Sequence, residues 1–219
     1  MDRFERVKEK LAELRNLDKG LDVFGSREHK YLVNPVLAES EILSFEEKHD
    51  LLIPEGYRLF LKEIGNGGAG PFYGLLPLED QEGHTVDLDS DFPCTADAPI
   101  LLSKYKEYDE KIENAETDEE EQALWNLKDT LINQEFINAT KGIIFLCHEG
   151  CGMCCVLVLR GMAKGTVWWF NFCDYVGVVP ILIDQKPICF LDWYELWLDN
   201  RLAHMKEGKP TFSSYRDFV

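Results

Sequence analysis

The chain has 219 residues, 45% of them apolar, and carries 23 basic against 40 acidic side chains for a net charge of −17. That apolar content is enough for a sizeable core, while the acidic balance excludes a nucleic-acid ligand, because phosphate binding needs a basic surface. Seven cysteines behind an N-terminus that interleaves charges with apolar residues point to reduced thiols in a cytoplasm, and no apolar run reaches membrane-spanning length.

Phe4, Val7, Leu11 and Leu14 recur at three- and four-residue spacing, so residues 2–17 are expected to form an amphipathic docking helix. After a loop holding Gly20 and Gly25, Asn34-Pro35 starts a second helical stretch toward His49, with Ile42 and Phe45 inward. Pro54 opens a short helix whose Tyr57, Phe60, Leu61 and Ile64 share one apolar face, and Gly65 is the permissive residue expected to end it. Asn66-Gly67-Gly68-Ala69-Gly70 follows that helix and precedes an expected extended segment at 71–78. This is the reverse of the strand-to-helix order that aims amides at phosphate, so the glycines read as a helix stop and turn. Residues 79–99 read as polar loop. Asp87, Asp89 and Asp91 start there like a calcium loop, but Phe92 and Ala98 stand where a glycine and a bidentate acid are needed.

Residues 107–121 hold nine carboxylates against Lys111 alone. Such a run is either a solvated face or an attractor for a basic protein, and the candidate contact residues are Glu116, Asp118, Glu119, Glu120 and Glu121. A helix over 118–136 is expected, with Thr117 and Glu120 in capping-box spacing and Leu124, Leu127, Leu131 and Ile132 on one inward side. From residue 142 the runs GIIFL, CCVLVLRG, GTVWWFNF and VGVVPILI, separated by glycine-containing breaks, predict antiparallel strands. Residues 189–204 close the pattern as a helix with Phe190, Trp193, Leu196 and Trp197 on one face. The fold class expected is α+β, one domain over 1–219 with a central twisted, mostly antiparallel sheet flanked by helices and an acidic helical insertion at about 104–138.

Three pieces in this order resemble a known family. LIPEGYRLFLKEIGNGGAGPFYGLLPLED (52–80), EGCGMCCVLVLRGMAKGTVWWF (149–170) and FLDWYELWLDNRL (190–202) are similar to the motifs of the SUKH superfamily, the Knr/Smi-like domains. The residues that carry the resemblance are Pro54, Tyr57, Phe60, Asn66, Gly67, Gly74, Gly150, Cys151, Gly152, Trp168, Trp193 and Trp197. The resemblance implies an α+β fold, no catalytic residues and no cofactor. It also implies a protein-binding role, either as a bacterial immunity protein that silences a toxin domain or as a scaffold of the fungal cell-wall regulator type. The acidic segment departs from the compact family pattern.

The stretch LCHEGCGMCC puts Cys147, Cys151, Cys154 and Cys155 beside His148. A structural zinc site presents two well-separated Cys-x-x-Cys knuckles, and a single one, Cys151–Cys154, is present. Cys154 and Cys155 are neighbours on a predicted strand and must point to opposite faces, as must Cys147 and His148. Glu149-Gly150-Cys151-Gly152 supplies the glycines a hairpin requires, so the cluster is read as a turn with buried thiols and no metal site. The alternative is a thiol- or zinc-dependent enzyme built on Cys147–Cys155, for which His29, His49, His84, His148 and His204 are the candidate bases. Tyr73, Trp168 and Trp169 are packing residues or partner contacts, and Trp168 and Trp169 must face opposite sides of the sheet, leaving Tyr73 and Trp169 as the candidate aromatic contacts.

Overall fold

The computed structural model describes residues 2–81 and 83–207. Helices α1 (Arg3–Leu17), α2 (Ser26–His29), α3 (Glu39–Lys48) and α4 (Glu55–Glu63) come first. Strand β1 (Ile100–Leu101), a 3-10 turn (Ser103–Lys106) and helices α5 (Glu107–Glu113) and α6 (Asp118–Ala139) follow. Strands β2 (Ile143–Gly150), β3 (Met153–Val158), β4 (Val167–Asn171) and β5 (Gly177–Pro180), a small hairpin of β6 (Leu182–Ile183) and β7 (Lys186–Pro187), and helix α7 (Phe190–Glu207) complete it. The main sheet has the order β1-β5-β4-β3-β2 with every neighbouring pair antiparallel. This is the α+β class expected from the texture of residues 142–183. The two-residue edge strand β1, which has no period to detect, lay in no predicted element.

Both faces of the sheet are covered, which is why its strands read as nearly continuous apolar runs. One face carries the larger core, where Ile144, Leu157 and Val167 meet Val7, Leu11 and Leu14 of α1, Ile42 and Phe45 of α3, Tyr57, Phe60 and Leu61 of α4, and Phe190, Trp193, Tyr194 and Trp197 of α7. The other face carries a smaller core of Ile143, Phe145, Val156, Trp168, Phe170 and Val178 with Phe92, Cys94 and Ala139. The polar-looking stretch 79–99 therefore contributes Phe92 and Cys94 to this core, and Phe92 meets the Trp168 ring edge-on at 4.9 Å. α1 docks on α7 through its apolar stripe and through charges at the rim. Arg3 pairs with Glu195 at 2.7 Å and Lys10 with Asp199 at 2.7 Å. Asp2 caps α1 by accepting from the Arg3 amide.

Three local expectations need correcting. The second helix starts at Glu39, not at Asn34-Pro35, because residues 34–38 lie outside any helix, Ala38 is extended, and the Glu41 carboxylate caps the helix by accepting from the Ala38 amide at 2.7 Å. Gly65 is outside the left-handed region, and its glycine is explained by a close approach, since a Cβ there would lie 2.5 Å from the Asn34 carbonyl oxygen. Residues 71–78 are not a strand but turns, held by a bridge from Gly68 to Leu75 and by the Tyr73 and Leu76 amides donating to the His148 and Leu146 oxygens of β2 at 3.3 and 2.7 Å. Gly74 is required within those turns: its φ is +103°, and a Cβ would lie 2.6 Å from the Gly68 oxygen. The glycine loop is fastened from two sides. The Asn66 side chain accepts from the Leu78 amide at 2.8 Å, and the Tyr194 hydroxyl of α7 donates to the Ala69 oxygen at 2.8 Å.

Candidate functional site

The sulfur-rich stretch is a hairpin. Gly150 pairs with Met153 across a two-residue turn, and Cys151 and Gly152 both have positive φ, 51° and 75°. That geometry matches the right-handed twist of the strands it joins. Cys154 enters the smaller core and Cys155 the larger one, the opposed faces that strand alternation demands. A bulge between Phe145 and Cys147 turns Cys147 to the larger core, opposite Cys155. Burial, reinforced by a hydrogen bond with Cys147, pushes the Cys155 thiol well above its usual pKa, and burial pushes Cys94 up to about 11. A thiol nucleophile needs the opposite shift. Among the described residues no group of three His, Cys, Asp or Glu is placed to hold a metal ion. Cys151 itself is exposed. Cys151→Ser is expected to change stability by no more than about 0.5 kcal/mol, as for other exposed positions. A urea titration checks this, and a markedly lower midpoint would show that the thiol packs.

Of the candidate bases, His29 is buried, His49 lies tilted against Phe45 with ring centroids 4.7 Å apart, and His84 stacks on Phe145 at 4.1 Å. These are packing roles. A cleft of 720 Å³ between α3 and residues 77–80 is lined by Ser40, Ser44, Phe45 and the carboxylates of Glu41, Glu79 and Asp80, with no imidazole or thiol among its described residues.

The aromatic contact candidates separate. Trp168 is fully buried in the smaller core, its indole N–H donating to the Thr166 hydroxyl at 2.8 Å. Trp169 is half-buried against the larger core on the opposite face. Tyr73 is 42% exposed beside Phe24, ring centroids 5.1 Å apart, and covers the hairpin, where a Cβ on Gly150 would lie 3.4 Å from its ring.

The acidic candidates lie elsewhere. Thr117 caps α6 by accepting from the Glu120 amide, and the Glu120 carboxylate accepts from the Glu116 amide, so the capping exchange is displaced by one residue. Glu116, Asp118, Glu119, Glu120 and Glu121 are all exposed. The α6 helix packs on the smaller-core face through Phe136 and Ala139, whereas Trp169 points to the larger core, so the structure does not bring the five carboxylates and Trp169 onto one face. Toward its N-terminus α6 is held by α5. Buried Lys128 pairs with Asp109 and lies 4.6 Å from the centre of the Tyr175 ring, and Glu135 binds Lys104 at 2.7 Å and the Tyr105 hydroxyl at 3.0 Å.

The inward side expected for α6 is not inward along its length. Leu124, Leu127 and Leu131 do share a stripe, but Leu127 is 47% exposed, Leu124 and Leu131 are half-buried, and none of the three joins either core. Trp125, on another side of the helix, is 46% exposed. The correction has a physical reason: Lys128, not a leucine, meets Asp109 of α5, and Leu127, the next residue back, is turned about 100° away from that contact. The run EEEQALWNL held this signal in its apolar residues directly after the carboxylates. The arrangement offers an apolar strip on an acidic arm, a surface suited to protein contact and not to bond-making chemistry.

The chain matches the model of the SMI1 / KNR4 family (SUKH-1) over residues 37–186, and it belongs to that family. The matched region includes the α4 helix, the glycine loop, the acidic arm and the strands of the main sheet. No curated protein and no solved structure matches the chain. Membership supports a non-enzymatic immunity or regulatory module acting through protein–protein contact. No helix among the described residues is long and apolar enough to cross a membrane.

Proposed function

We propose that this chain is an immunity-type binding protein of the cytoplasm that neutralises a basic toxin domain by docking it on the acidic arm formed by α5 and α6. The observation that carries the reading is the Leu124–Leu127–Leu131 stripe, which lies outside both cores and directly follows the exposed carboxylates of the first α6 turn. An apolar centre with a charged rim is the anatomy of a protein interface. The carboxylates would steer a basic partner into encounter, and the leucines would set how long it stays. Tyr73 and Trp169, on other surfaces, have no necessary part in this contact. A regulatory scaffold of the fungal cell-wall type would use the same surface without an inhibited toxin behind it.

Two variant sets test the reading once the partner has been identified by affinity capture. Neutralising Glu116, Asp118, Glu119, Glu120 and Glu121 to Gln or Asn is expected to lower the association rate about tenfold or more at low ionic strength. The loss should shrink at high salt, where the Debye length is about 3 Å. Leu127→Ala combined with Leu124→Ala is expected to raise the dissociation rate about tenfold or more while the association rate holds. Stopped-flow mixing reads both. Rates that ignore salt and both variant sets would place the partner on another surface.

A further inference from the structure

We propose that Cys151 and Cys173 form a redox-responsive dithiol pair that closes to a disulfide joining the two turns at one end of the sheet. The β3–β4 register pairs Met153 with Asn171, and both chains then leave the sheet in turns, the first holding Cys151 and Gly152, the second holding Cys173. Carrying that register two steps further sets position 151 opposite position 173. The packing agrees with the register: a Cβ built on Gly152 would lie 2.7 Å from the Cys173 sulfur, so this thiol rests directly on the backbone of the residue next to Cys151. Gly152 is needed for its positive φ, and the Cys173 sulfur occupies the space a side chain there would take.

The backbone of Cys173 is fastened there. Asn171, fully buried, accepts from the amides of Cys173 at 3.1 Å and Asp174 at 3.0 Å through its side-chain oxygen, and its side-chain amide donates to the Asp174 carboxylate at 3.1 Å. Both thiols are free and exposed, unlike Cys94, Cys147, Cys154 and Cys155, which are buried. Cys189 is exposed too, but it bridges Thr166 at the opposite end of β4 and its thiol donates to Asp192 at 2.9 Å. Cys151 is the residue next to Gly152, its α-carbon about 3.8 Å further along the chain, and disulfides span α-carbon separations of about 4.4–6.8 Å.

The oxidant is a small disulfide such as oxidised glutathione. The Cys151 thiolate attacks one glutathione sulfur and the glutathione S–S bond breaks, releasing the first glutathione thiolate. The Cys173 thiolate then attacks the Cys151 sulfur of the mixed disulfide and releases the second. Two protein thiols are oxidised, one glutathione disulfide is reduced to two glutathiones, and the two thiol protons leave with them. A transient bond of this kind is the form in which disulfides occur in reducing compartments. The closed bond would stiffen the turn that Tyr73 covers. The pairing does not depend on the partner reading, and its test involves no partner.

The experiment equilibrates the reduced full chain with oxidised and reduced glutathione, blocks free thiols by alkylation, and maps peptides by mass spectrometry. The expected product is a monomer that has lost two hydrogens and contains a Cys151–Cys173 linked peptide, with Cys189 unlinked. Dithiothreitol should reverse it. Cys151→Ser and Cys173→Ser should each abolish the link and leave the remaining cysteine as a mixed disulfide with glutathione, while Cys189→Ser should leave the link unchanged. Recovery of Cys151 and Cys173 as free thiols, as two separate mixed disulfides, or in links between chains, with far-UV circular dichroism showing the fold intact, would overturn the proposal.

Discussion

Phe60→Ala is expected to destabilise the protein by about 3–5 kcal/mol, as truncation of a fully buried phenylalanine does elsewhere. Phe60 is completely buried on α4 and meets two aromatic rings of α7 edge-on, Phe190 at 5.1 Å and Tyr194 at 4.8 Å. Removing the ring deletes transferred apolar area, both edge-to-face contacts and the packing that fixes α4 against α7. Because Tyr194 also holds the glycine loop through the Ala69 oxygen, the loss extends to the loop. Against a total stability of about 5–15 kcal/mol for a typical domain, the change is enough to unfold a marginal protein. Denaturant unfolding followed by tryptophan fluorescence reads it. A midpoint shift worth less than about 1 kcal/mol would show that the α4–α7 contact is not the structural joint described here.

Acid is expected to cost the fold up to roughly 3 kcal/mol between pH 6.5 and 4 through one residue, His29. Burial pushes its imidazole down to about 4, against a partial opposing pull from Asp18. The geometry agrees with a neutral ring. Nδ1 accepts from the Tyr31 amide at 3.0 Å, so protonating it would set a donor against a donor, while Nε2 is buried without a hydrogen-bond partner. Between these pH values the unfolded chain binds a proton that the folded chain refuses, so stability is fully present above pH 6.5 and declines as pH falls toward 4. Glu39, held down to about 2 by its hydrogen bonds with Arg58 and Lys62, loses its advantage only below its ordinary value of 4.5, a separate window. His29→Asn keeps an acceptor for the Tyr31 amide and removes the titration. The difference in unfolding free energy between the two proteins should slope with pH from 6.5 to 4 and flatten above. A difference independent of pH would show that His29 is solvated in the fold, and a slope of opposite sign that it is charged there.

Much of the frame was legible because it is repeated. Val7, Leu11 and Leu14, or Tyr57, Phe60 and Leu61, announce a helix face several times over, and the four β-branched runs announce strands whose two faces are both covered. The hairpin at Gly150-Cys151-Gly152 was legible for a different reason, since strand alternation forces Cys154 and Cys155 apart whatever surrounds them. Local rules failed where a distant neighbour decides. Gly65 is shaped by the Asn34 carbonyl, residues 71–78 by their bonds to Gly68 and to β2, and Cys147 by a bulge that no period encodes.

The sequence by itself determined the α+β class, the helices α1, α4 and α7 with their buried faces, the sheet-forming runs, the cysteine turn and the family, since each depends on spacing or on residue type within a short stretch. Tertiary structure alone decided how the exposed surface is divided. Whether Leu127 is core or surface depends on which side of α6 is turned to α5, and whether Trp169 shares a face with the carboxylates depends on which side of the sheet α6 covers. That Cys173 rests on Gly152 depends on the closing of two turns separated by β3 and β4. Periodicity states which side of an element is apolar, but burial is settled by whether another element arrives to cover it.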